Sequence, residues 1–147
     1  MTSIGEQTGE NGGPTYDVAL VRAVGKLSEA WEAAEEARGH LYAFHRLTGH
    51  ADAVAEQAVN QLRDAGQGAL ADKLVTELIG RNVLPGRWTF QIVEEYDDDY
   101  HRLFSELERE GRSLVGGRRH VYEAQMKHDR RTHGRSGHEA TPADFTA

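Results

Sequence analysis

From Leu20 to His45, one stripe of positions recurs at alternating steps of four and three: Leu20, Val24, Leu27, Trp31, Ala34, Arg38, Leu41 and His45. Long helices that pack in pairs use that period, whereas a half-buried strand would alternate every second residue. The same spacing returns in Val93, Tyr96, Tyr100, Leu103, Leu107 and Leu114, with Phe90, Ile92 and Phe104 widening the stripe. No stretch alternates in the strand period, and Ala, Leu, Glu and Arg dominate, all of which favour helix. The chain is therefore expected to be all-α. The architecture read from the spacing is a helical bundle of two long antiparallel helices, with two shorter helices covering one end.

Breakers divide the helices. The first is expected over 16–47 and to end at Leu47-Thr48-Gly49, the second over 51–65 up to Gly66, and the third over 69–79 up to Gly80. Pro85-Gly86 marks a turn, after which Thr89 reads as the N-cap of the second long helix. Gly116-Gly117 would break that helix before it resumes over 120–130. Residues 1–14 carry little to bury and read as a disordered segment, 15–131 as a single helical domain, and 132–147 as a flexible tail. Each long helix would span roughly 45 Å at 1.5 Å per residue. So long a hairpin with few large apolar residues buries only one narrow face, so a homodimer is expected, with a compact monomer as the alternative.

Composition limits the classes of function. The 147 residues carry a net charge of −7 and no cysteine, which excludes disulfides, thiolate metal sites and cysteine nucleophiles. No apolar run exceeds four residues and no basic, apolar leader opens the chain, so a cytoplasmic protein with no membrane segment is expected. Residues 1–117 hold 11 Lys+Arg against 20 Asp+Glu, and residues 118–147 hold 6 against 4. An acidic body repels a polyanion, which argues against nucleic acid as a partner. Only the basic C-terminal segment, with Arg118, Arg119, Arg130 and Arg131, keeps nucleic-acid contact as an alternative. An acidic protein partner, unidentified from the sequence, would suit the same segment.

The polar residues on the two long helices are the candidates for chemistry. Glu94, Asp98 and His101 are related by steps of four and three and would share a helical face, as would Glu35 and His45 with Trp31, Arg38 and Tyr42. Arg38 and His45 lie on the seam itself, where an unpaired charge is costly. In the structural reading they pair with Glu94, Asp97 or Asp98 and fix helix register. In the functional one, Glu35, His45, Glu94, Asp98 and His101 hold a divalent metal, as carboxylate and imidazole sets in helical bundles do. No cofactor is predicted under the first reading, and the second would make the chain a metal-binding bundle or a metal-dependent hydrolase.

Two acidic pairs, Glu32-Ala33-Ala34-Glu35 and Glu95-Tyr96-Asp97-Asp98, resemble the Glu-x-x-Glu and Glu-x-x-Asp pairs of the all-α nucleoside triphosphate pyrophosphatases. In that family such carboxylates bind magnesium, which binds the substrate phosphates. The resemblance covers eight residues, and the pairs are set much wider apart than in that family, so it does not establish membership.

Phosphate-loop, zinc-protease, nucleophile-elbow and dinucleotide motifs are absent. The turn with Arg81, Arg87 and Trp88 either plugs the end of the bundle or forms a recognition surface, since Trp and Arg are common interface anchors. The leading expectation is a helical protein that acts through protein–protein contacts and associates with itself.

Overall fold

The computed structural model describes residues 14–144 together with 7 and 8, so the disorder expected for 1–14 falls largely outside the described residues. The all-α class holds. The elements are α1 (Val18–Asp64), α2 (Gly68–Glu77), α3 (Thr89–Tyr96), a π-helical turn (Asp97–His101), α4 (Arg102–Ser113) and α5 (Val121–Arg130). A two-residue antiparallel ladder joins β1 (Gln7–Thr8) to β2 (Pro14–Thr15).

The expected break at Leu47-Thr48-Gly49 is not there: α1 runs unbroken through it, and the separate second helix is its continuation. A helical glycine costs about 1 kcal/mol relative to alanine, but it keeps its amide proton, and no proline lies in α1 to remove a hydrogen bond. Open space surrounds the Cβ position of both Gly39 and Gly49. Gly39→Ala and Gly49→Ala are each expected to raise stability by about 0.5–1 kcal/mol, read as a higher urea midpoint. A fall at either site would show a neighbour or a bend that the helix lacks here. The stops at Gly66 and Gly80 are where the sequence places them. Gly66 has φ +78°, and Gln67 N–H reaches back to the Leu62 carbonyl at 2.7 Å, which satisfies the open end of α1.

The chain divides into two compact units, residues 1–32 with 104–147 and residues 33–103. In the first, Val21 and Val24 of α1 bury against Val115, with Tyr16, Leu20 and Val121 packed around them. The Trp31 and Phe104 rings meet at 5.6 Å between centroids. Gly25 lets α5 approach, since a Cβ there would stand 2.7 Å from that of Tyr122.

In the second unit α2 folds back on α1. Asp52 accepts the Gly80 amide at 3.2 Å, and Arg63 meets Asp72 at 2.7 Å. Residues 84–87 form a tight turn, with Gly86 at φ +74° after Pro85, as a type II turn requires. Trp88 rather than Thr89 takes the N-cap of α3, and the Gln91 side chain accepts its amide at 2.8 Å. Thr89 is buried, and its hydroxyl is turned to α1 instead.

Candidate functional site

The polar seam of the second unit lies between α1 and the segment α3–π turn. As numbers rise along α1, partner numbers fall: Glu35 meets His101, Arg38 meets Asp97, and His45 meets Thr89. The Arg38 guanidinium grips Asp97 with two prongs, Nε donating to Oδ1 at 2.7 Å and Nη2 to Oδ2 at 3.1 Å. Such forks are among the stronger charge-assisted hydrogen bonds. Tyr42 closes the triangle: its hydroxyl accepts from Arg38 at 3.0 Å and donates to Asp97 at 3.2 Å. The guanidinium carbon also stands 4.8 Å from the Tyr42 ring centroid.

Charge in this triad is fixed by its geometry. The hydrogen bonds from Arg38 hold the Asp97 carboxyl below its usual range, against an opposing effect of desolvation, and Tyr42 assists. The same bond raises the Arg38 guanidinium further. Burial is the main cause that raises the neighbouring Tyr96 phenol.

Asp97, one of the three acidic partners expected for Arg38 and His45, directly continues α3, its amide reaching the Val93 and Glu94 carbonyls. A π turn carries one more residue than an α turn and rotates the rest of the helix by about 100°. Asp97 is set inward and Asp98 is exposed. Of the five residues weighed as metal ligands, Glu35 and His101 are brought together as a hydrogen-bonded pair. His45 shares its Nδ1 hydrogen bond of 2.7 Å with Thr89, while Glu94 and Asp98 are exposed and lie outside the Glu35–His101 contact.

Two arrangements in the first unit escaped the sequence reading. Glu108 on α4 is buried, yet it accepts from Ser28 Oγ at 3.1 Å and pairs with Arg112 at 2.8 Å. Its four-residue spacing from Arg112 and from Phe104 was the available signal. Glu32, His120 and Glu123 bring three ligand atoms within 4.8 Å of one another, the group of this kind found among the described residues. Here the signal was His120-x-x-Glu123, two ligand types one helical turn apart. His120 is the N-cap of α5, has a left-handed φ of +59°, and borders a cavity of about 160 Å³ with Glu32, Glu108 and Arg119.

The residues weighed as an interaction surface fall in both units. Arg87 pairs with Glu95 at 2.5 Å and donates to the Pro85 carbonyl, so it braces its own turn. Trp88 is half-exposed and, with Leu78, Val83, Arg81 and Ala51, lines an open groove of about 500 Å³. Arg118, Arg119 and Arg130 are exposed, while Arg131 donates to the His138 carbonyl at 3.2 Å.

No helix among the described residues is long and apolar enough to cross a membrane. No known protein family, curated protein or solved structure matches the chain.

Proposed function

We propose that this chain is a non-catalytic helical protein that works through protein–protein contacts and associates with itself. The observation that carries the reading is the poverty of its own core. Among the described residues the buried apolar ones are Val21, Val24, Ala34, Val59, Ala71, Val93 and Val115, none larger than valine. Phe44, Leu47, Leu70, Leu78, Leu84, Trp88, Phe90, Leu103, Leu107 and Leu114 are meanwhile exposed. Exposed apolar residues that share one face, as Phe44, Leu47 and Val54 do on α1, mark an interaction site. The polar triad of Arg38, Tyr42 and Asp97 then acts as a register device within the second unit. If association stabilises the fold, the thermal midpoint should rise with protein concentration, by mass action. A midpoint independent of concentration would count against the proposal.

A second reading, metal binding, is favoured by the Glu32–His120–Glu123 group, a mixed nitrogen and oxygen donor set suited to a divalent transition metal. After dialysis without chelator, elemental analysis should then find metal in the wild type and a clear loss in His120→Ala. His101→Ala, which leaves that group intact, should retain it. Equal metal content in wild type and His120→Ala would dismiss the site.

A further inference from the structure

In the second unit α1 carries two stripes, and only one of them is used. The inner stripe, Ala34, Arg38, Leu41, His45, Thr48, Asp52, Ala55, Val59 and Leu62, is buried or half-buried at every position but Asp52. One residue behind it runs an outer stripe at the same steps of three and four: Ala33, Ala37, His40, Phe44, Leu47, Ala51, Val54 and Ala58. Every member is exposed, with Leu47 at 66%, Val54 at 44% and Phe44 at 43%. Seven of the eight are apolar, and the heptad spacing holds over about 39 Å of helix.

One residue advances an α-helix by about 100°, so the two stripes face directions roughly a right angle apart. A helix in a four-helix bundle has two neighbours placed in this way. The inner stripe has its neighbour within the chain, whereas the outer stripe is exposed at every member, only Ala51 bordering the groove lined by Leu78 and Trp88.

The geometry points to a second copy of this chain as the occupant, docked antiparallel along the outer stripe of α1. The assignment rests on the self-association reading and names its surface. A carboxylate set against an imidazole along the flank selects the direction. With the two-fold axis beside Ala43, Glu36 of each copy falls opposite His50 of the other. Ala37 meets Leu47 of the second copy and Phe44 meets His40, so small or polar groups lie against large ones. A parallel pairing would instead stack Phe44 on Phe44, leave Ala37 on Ala37, and set His40 against His40. The antiparallel contact is isologous and closes as a dimer, with no surface left to propagate a filament.

The chain suits a direct test, because its 147 residues contain no cysteine to interfere. The variant carrying both Ala37→Cys and Leu47→Cys should form a disulfide-linked dimer on mild oxidation, and neither single substitution should. Within one chain the two sites are ten residues apart on a helix, too far to bridge. Leu47→Glu should weaken the dimer by roughly 100-fold or more, since the two-fold axis counts each buried charge twice. It should also keep its helical spectrum, because the position is exposed within the chain. A wild type that is monomeric throughout would overturn the self-association reading and this surface together. A dimer that survives Leu47→Glu with the double variant unlinked would overturn the surface alone. Linkage of the single variants would overturn the antiparallel arrangement.

Discussion

Replacing Glu108 by alanine should cost about 2–3 kcal/mol of folding stability, read from urea unfolding at a fixed protein concentration. The Glu108 side chain is 6% exposed and that of Arg112 is 20%, so the pair lies between two limits. A fully exposed ion pair contributes below about 1 kcal/mol. Removing one partner of a fully buried pair costs about 3–5 kcal/mol, because the other charge is left without compensation. Arg112 keeps some access to water, which lowers the upper limit. The Ser28 hydroxyl loses its acceptor as well. Changing both Glu108 and Arg112 to leucine should recover much of the loss, since two apolar groups leave no orphaned charge. A single-variant loss below about 0.5 kcal/mol would mean that Glu108 reaches solvent.

The Arg38–Asp97 pair should dominate the acid limb of stability in the second unit. The Asp97 carboxyl titrates below its ordinary value near 3.8 when folded, because Arg38 hydrogen-bonds its charged form. A carboxylate depressed in the folded state contributes stability that is fully present above the unfolded value. That contribution is lost as pH falls through the unfolded value towards the folded one. Arg38→Ala should therefore lower stability by about 1–2 kcal/mol at neutral pH, and the deficit should shrink on acidification below the ordinary carboxylate range. Asp97→Asn should flatten the same limb. A deficit in Arg38→Ala that stays constant from neutral pH into the acid range would show that Arg38 acts through packing rather than through the Asp97 charge.

The parts of the fold that were legible in the sequence are those set by local chemistry. Gly66 and Gly80 end helices because a left-handed residue there lets the chain turn back and close the last hydrogen bonds, and Pro85-Gly86 makes its turn for an equally local reason. Gly49 looked like a third stop, yet glycine ends a helix only when the next residues turn away, and Ala51 to Asp64 continues the helical pattern. The π turn at Asp97–His101 had no local signal. It inserts a residue into an otherwise regular stripe and turns the residues that follow Asp97, whereas the Arg38–Asp97 pair was among those the spacing offered. The outer stripe of α1 was present in the sequence as Ala33, Ala37, Phe44, Leu47, Ala51, Val54 and Ala58. Alanine is common on any helix, so its meaning emerged only when the inner stripe proved to be the covered one. Glu32, His120 and Glu123 meet across α1 and α5, a juxtaposition that spacing along one helix cannot reveal.

Self-association is the central claim, and the mass of the chain in solution tests it most directly. Sedimentation equilibrium of the untagged protein should return twice the chain mass of 16.3 kDa at moderate concentration, with dissociation on dilution. A mass of one chain at every accessible concentration would contradict the account. The exposed apolar residues would then need a different partner.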